Sequence, residues 1–318
     1  MEYQPNLSNI KAGRGGVIQA VAPHSTGAQL GLNVGDAIVR VNGMTMRDVI
    51  DFRYAMTEEQ VTLDLRQGEL ERTVTINKEL DDMLGIDFIE PLFDRLRTCN
   101  NKCPFCFLTQ MPKGFRKTLY LKDDDYRLSF LYGNFVTLTN LKEDDWQRID
   151  QQRLSPMYVS VHATDRTLRA ILLGKPDVPD VIEQIKRLGD MGIDVHTQVV
   201  ACPQLNDGAA LAQTIHELGQ LYPVVQSIAV VPVGLTRYRF EGKKPQSIKA
   251  AIRVHEQDDW INTNWEMQPI WQEDAPVASE LMHAVQNGDL GFCARLGAAT
   301  EVELRPYRSD EAAAVIDI

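Results

Sequence analysis

The sequence predicts an α/β protein built in two parts, and three observations carry that expectation. Within residues 1–80, alternating runs such as Val61-Thr62-Leu63-Asp64-Leu65 and Glu71-Arg72-Thr73-Val74-Thr75-Ile76 flank Gly68, the signature of a β-hairpin. From Met157 onward, β-branched runs alternate with amphipathic helical stretches, the spacing of parallel βαβ units. Between the two parts lies Cys99-Asn100-Asn101-Lys102-Cys103-Pro104-Phe105-Cys106, which holds three of the five cysteines.

The chain has 318 residues, enough for one or two domains with proper cores. Its net charge of −11 argues against non-specific binding to nucleic acid or anionic membranes, which needs basic surface. No run of 18 apolar residues predicts a membrane span. The start, Met1-Glu2-Tyr3-Gln4-Pro5, has neither the charged nor the apolar region of a signal peptide. Clustered cysteines do not form a disulfide framework, and free thiols fit a reducing cytoplasm. The expected location is therefore cytoplasmic.

After a polar lead-in, Gly16 to Val21 reads as a strand bounded by Gly and Pro. Gly27 to Leu30 reads as a short helix stopped by Gly31. Val34 to Val41 reads as a turn and strand closed by Asn42-Gly43, a hairpin-turn pair. Val49 to Met56 supplies a second helix before the hairpin. This succession resembles a PDZ domain, which implies a C-terminal peptide as partner, held by strand addition. The Gly-rich loop that grips such a carboxylate is missing before Gly16. Leu84-Gly85-Ile86 supplies it only if the domain is circularly permuted. The plainer expectation is a module that packs on its neighbour.

The C-x3-C-x2-C spacing of Cys99, Cys103 and Cys106 points to one metal centre. Thiolates are soft ligands, so zinc, copper(I) and iron–sulfur clusters are the candidates. A structural zinc needs a fourth ligand at a second knuckle, and none follows at that spacing. Three cysteines fit better a [4Fe–4S] cluster with one open iron.

With Phe105 before the third cysteine, this motif resembles that of the radical S-adenosylmethionine (SAM) enzymes. The segments Asp124 to Phe135, Tyr158 to Thr164 and Cys202 to Gly208 extend the likeness to one bacterial family, the DUF512 iron–sulfur oxidoreductases with a PDZ-like N-terminus. The resemblance implies that Cys99, Cys103 and Cys106 ligate the cluster and that the open iron binds SAM. Electron transfer then cleaves SAM to methionine and a 5′-deoxyadenosyl radical. It also implies a flavodoxin- or ferredoxin-like electron donor. It does not supply the substrate, small molecule or protein.

Resemblance and pattern together imply a partial (β/α)6 TIM-like radical SAM barrel. Its first strand is expected near 88–97 and its second at Tyr132 to Leu138, with Gly133 and Asn134 placed near the SAM amine. The family's acidic residue is absent there. Asp123-Asp124-Asp125 reads as a solvated turn, and Lys113, Arg116 and Lys117 as surface charge. Met157 to Val161 is the third strand. Ser160 and His162 are expected on its lining face, with His162 a candidate proton donor or acceptor. Asp180 to Met191 has a helical apolar period and a Gly192 stop. His196 to Val200 is the fourth strand, with His196 and Gln198 lining, and Cys202 reads as a buried free thiol. Asn206-Asp207 caps a helix over 209–218. Val225 to Val231 is the fifth strand, and the loop to Arg239 is expected over the SAM adenine.

The expected domains are thus a PDZ-like module at 1–80, a radical SAM-like partial barrel at 81–239, and a divergent, poorly ordered region at 240–318. The leading function is a radical SAM iron–sulfur oxidoreductase. Its SAM-contacting residues would be Phe105, Gly133, Asn134, Ser160 and Gln198. The alternative is a PDZ-bearing adaptor or sensor whose cysteine loop holds a structural or redox metal.

Overall fold

The computed structural model describes residues 15–111, 113–202 and 204–233, with the strands at 292–296 and 302–306. The chain divides between Arg97 and Thr98 into two compact units.

The first unit contains β1 (Gly16–Val21), α1 (Thr26–Gln29), β2 (Ala37–Val41), β3 (Met44–Thr45), α2 (Val49–Ala55), β4 (Gln60–Gln67), β5 (Leu70–Asn77) and β6 (Ile86–Phe88). They form one antiparallel sheet in the order β5-β4-β2-β1-β6, with β3 beside β2. The alternation of β4 places Val61, Leu63 and Leu65 in a core with Ile18, Ile38, Phe52 and Phe93. Asn42 and Gly43 both take left-handed φ, 51° and 77°, as the two-residue hairpin turn requires. Asp48 caps α2, its Oδ1 accepting from the N–H groups of Ile50 at 3.1 Å and Asp51 at 2.9 Å.

The barrel strand expected near 88–97 is not there. Ile86–Phe88 instead pairs with β1, Val21 opposite Ile86. The reason is apolar: the Phe88 ring lies 4.9 Å from Phe52 and 4.8 Å from Phe93, within the core of the first unit.

The second unit contains α3 (Tyr126–Tyr132), α4 (Glu143–Gln151), β7 (Met157–Ser160), α5 (Arg166–Leu173), α6 (Val181–Asp190), β8 (Val195–Ala201), α7 (Gly208–Gly219), β9 (Val225–Pro232), β10 (Phe292–Leu296) and β11 (Val302–Pro306). Where a strand was expected from Tyr132 to Leu138, α3 ends at Gly133 with φ 72°, and only Val136 bridges to Val159. Asp125 explains the difference. Its carboxylate caps α3 by accepting from the Arg127 N–H and also pairs with the Arg127 guanidinium at 2.7 Å. Asp124 and Asp125 are accordingly buried, not a solvated turn.

Strands β7, β8 and β9 run parallel, as the βαβ spacing required. On β8, Val195, Thr197 and Val199 are buried while His196 and Gln198 are half-buried, so the expected two-faced alternation holds. The sheet then continues antiparallel through β10 and β11, where no further strand was expected. The α/β class therefore stands, and among the described residues a partial (β/α)6 barrel is not shown. Among the described residues the sheet has three parallel strands followed by two antiparallel ones. The expected loop around Arg237 and Arg239, with Trp260, Trp265 and Trp271, lies outside the described residues. Among the described residues no helix is long and apolar enough to cross a membrane.

Candidate metal centre

The cysteine loop follows no strand; it is held by groups on three segments, around 122–124, 137–139 and 173–175. The Cys99 N–H donates to the Lys122 carbonyl and the Lys102 N–H to the Leu173 carbonyl at the end of α5, each at 2.8 Å. Gly174, just past α5, lies against Lys102 in a left-handed conformation, φ 60°. Asn101, buried between two of the cysteines, donates from Nδ2 to Thr137 Oγ1 at 2.9 Å and accepts at Oδ1 from Thr139 Oγ1 at 3.1 Å. Thr137 in turn donates from its N–H and Oγ1 to the buried Asp124 carboxylate, at 2.7 and 2.6 Å. Lys175 Nζ donates to Thr139 Oγ1 at 3.2 Å. Lys175 thus donates to Thr139, Thr139 to Asn101, Asn101 to Thr137 and Thr137 to a carboxylate, while the two threonine hydroxyls also lie 2.9 Å apart. Charges at both ends fix the orientation of each member.

Cys99, Cys103 and Cys106 are all free and half-buried. They sense one another. Burial pushes the Cys103 thiol up to about 12, with the charges of Cys106 and Cys99 adding to the rise and Lys122 opposing it. Burial also raises Cys99, assisted by Asp124 and Cys106 and opposed by hydrogen bonds from Asn101. Three thiolates so placed repel one another and the buried environment alike, and a bound cationic centre reverses both penalties. The donor set therefore fits a thiolate-ligated metal group. Among the described residues, no three His, Cys, Asp or Glu side chains gather closely enough to hold a single metal ion. A cubane cluster makes a different demand, because each thiolate then takes a different iron.

Phe105 is buried in a small apolar cluster with Ala163, Leu172, Cys202 and Val233, against which Cys103 packs. Its ring meets His162 edge-on, centroids 4.9 Å apart. His162 does not continue the alternation of β7. It lies beyond the strand's last residue with φ 65°, and it is buried. Its Nδ1 accepts the Val200 N–H at 3.2 Å, which assigns the ring hydrogen to Nε2. Burial, with the nearby Arg169 cation, lowers its pKa to about 3. The Nδ1 lone pair is thus engaged, and burial favours the neutral ring.

Ser160 and Gln198 are direct partners across β7 and β8, so they share a face as expected. The backbone carbonyl of Gln198 accepts from Val161 at 2.9 Å. Gly133 closes α3, and the Asn134 amide donates to Asp123 at 2.8 Å. Asn206 does not cap α7. It accepts from the Cys202 N–H at 2.7 Å and donates to the carbonyls of His162 at 2.7 Å and Val200 at 2.9 Å, tying the loop after β8 to the His162 corner.

Sequence reasoning missed Asn101, Thr137, Asp124 and Arg169. Arg169 left one signal. It stands three and four residues before Leu172 and Leu173, on the core side of α5, where a charge is out of place.

Residues 78–228 match the family model of a radical SAM-like domain. Residues 17–67 match that of a PDZ domain, so the N-terminal module is PDZ-like. Among solved structures, the PDZ domain of an SdrC-like protein from Listeria monocytogenes is 18% identical, with a TM-score of 0.21, covering 24% of this chain and 87% of that one. No curated protein matches.

Proposed function

We propose that this chain is a radical SAM enzyme. Cys99, Cys103 and Cys106 would hold a [4Fe–4S] cluster, leaving the fourth iron for SAM. The observation that carries the reading is the loop of three free, half-buried cysteines within a radical SAM-like match. When bound, the cluster supplies the electron that cleaves SAM and starts radical chemistry.

The chain's own residues bind and orient. The hydrogen-bonded chain from Lys175 to Asp124 fixes Asn101 and thereby the loop between Cys99 and Cys103. Phe105 seals the apolar side of the site against Leu172 and Cys202. His162 acts as a neutral Nε2–H donor beside Phe105, not as a proton shuttle. Ser160 and Gln198 present a paired polar face for SAM or substrate. The PDZ-like module is assigned to a C-terminal peptide, and a flavodoxin- or ferredoxin-like protein to electron supply. The enzyme class is an oxidoreductase of the cytoplasm.

The test is anaerobic reconstitution of the full chain with iron and sulfide, followed by dithionite and SAM. Formation of 5′-deoxyadenosine that disappears in Cys103→Ala is the expected result. A loaded cluster that never yields 5′-deoxyadenosine, with or without candidate substrates, would overturn the reading in favour of a metal-bearing adaptor.

A further inference from the structure

Arg169 is fully buried, 0% exposed, in the middle of α5. Among the described residues its guanidinium hydrogen-bonds only backbone oxygens: Thr137 and Val161 at 2.7 Å each, and Ser160 at 3.3 Å. Among the described residues its Nε–H has no partner and no carboxylate pairs with it. Leaving a cation in the interior without an anion in contact is costly, because carbonyl dipoles replace only part of its hydration.

Three acidic groups interact with it electrostatically: Asp124, Asp180 and Cys103, the last an anion once a bound metal displaces its proton. Two of them are committed elsewhere. Asp124 is taken by the N–H and hydroxyl of Thr137. Asp180 caps α6 through the N–H groups of Ile182 and Glu183. The cysteine loop remains, and α5 carries it. Leu168 and Leu172, on either side of Arg169, join Phe105 and Cys103 in one apolar cluster, and the Leu173 carbonyl holds the Lys102 N–H.

We propose that Arg169 is the built-in counter-charge of the cysteine loop, a positioning residue that stabilises the thiolate-ligated cluster and raises its reduction potential. This rests on the cluster assignment above. Reduction adds one negative charge to the cluster. A fixed cation in a low-dielectric interior favours that reduced form. The same charge adds to burial in lowering the pKa of His162, since a second cation beside it is disfavoured.

The experiment is a potentiometric titration with dithionite, followed by electron paramagnetic resonance, on the full chain loaded anaerobically with iron and sulfide. Arg169→Gln removes the charge but keeps an N–H donor. Its reduction equilibrium is expected to fall about tenfold, a downward shift of about 59 mV for a one-electron couple. A midpoint equal to that of the unsubstituted protein, in a variant that folds and loads iron, would overturn the proposal. Should Arg169→Gln fail to fold, Arg169→Lys decides. A buried lysine sheds its proton as pH rises whereas arginine does not, so the midpoint of R169K should drop with pH more steeply than that of the unsubstituted protein. Parallel profiles mean a purely structural role. An unsubstituted chain that loads no cluster sinks the cluster assignment itself, and this inference with it.

Discussion

Gly174 and Lys102 meet backbone to backbone: a Cβ on Gly174 would stand 2.4 Å from the Lys102 carbonyl oxygen. Glycine is required there twice over. Its φ of 60° is left-handed, which ends α5, and its bare Cα admits the cysteine loop. Gly174→Ala should therefore cost about 1–2 kcal/mol for the left-handed conformation alone, with further loss from the backbone clash. The Lys102–Leu173 bond should break, and Cys103 should shift. Thermal unfolding of the metal-free chain and iron bound per chain after reconstitution both read this out. An unchanged melting temperature with full iron would contradict the role given to this contact.

Asn101 is the central member of the polar chain between Lys175 and Asp124. Truncating it takes the Asn101 donor from Thr137 Oγ1 and the Asn101 acceptor from Thr139 Oγ1, leaving the two hydroxyls each other at 2.9 Å. Asn101→Ala is expected to cost about 1–3 kcal/mol, the usual penalty for stranding a buried polar group. Asn101→Asp should cost more, since it replaces the Nδ2 donor by an oxygen and adds a charge near Asp124. Urea unfolding of both variants gives the order, and equal stability of the two would refute the assigned direction of the hydrogen bonds.

The contrast between what was legible and what was not follows from range. The hairpin over Val61 to Ile76, the Asn42-Gly43 turn and the parallel order of β7, β8 and β9 are written in local alternation and turn residues, so the sequence foretells them. The cysteine loop is legible as a set of three half-buried thiols because its spacing is local. The helix at Tyr126–Tyr132 was hidden because Asp125, its cap and ion-pair partner, sits in an acidic triplet that looks solvated. The environment of Asn101 was hidden because its partners Thr137 and Thr139 are distant in sequence. For the same reason, nothing local announces that Val200 occupies the lone pair of His162.

Burial, with the Arg169 cation nearby, gives His162 a pH signature. The ring titrates near 3 in the folded chain against an ordinary value of 6.5. Between those limits the unfolded chain binds the proton and the folded chain does not. The stabilisation is therefore complete above pH 6.5 and is lost as pH falls toward 3. Each unit of the shift corresponds to about 1.4 kcal/mol. His162→Gln offers Val200 an acceptor without a titrating ring, so its stability should decline less steeply with acid than that of the unsubstituted chain. Denaturant midpoints measured from neutral pH downward decide the matter. Parallel curves would mean that the ring accepts its proton in place.

Cys103 and Cys202 pack against the same apolar cluster around Phe105, yet they should behave oppositely when removed. Cys103 is half-buried on the loop and feels both other thiols, so Cys103→Ala takes one ligand from a set of three and should abolish cluster loading. Cys202 is 0% exposed, with its backbone N–H held by Asn206 at 2.7 Å. Cys202→Ala should cost about 1 kcal/mol for the small volume lost and leave bound iron unchanged. Iron and sulfide analysis of the two reconstituted variants, beside the absorbance of the cluster, separates the roles. Full iron in Cys103→Ala would remove it from the ligand set. Loss of iron in a folded Cys202→Ala would make the buried thiol a fourth ligand and close the iron reserved for SAM.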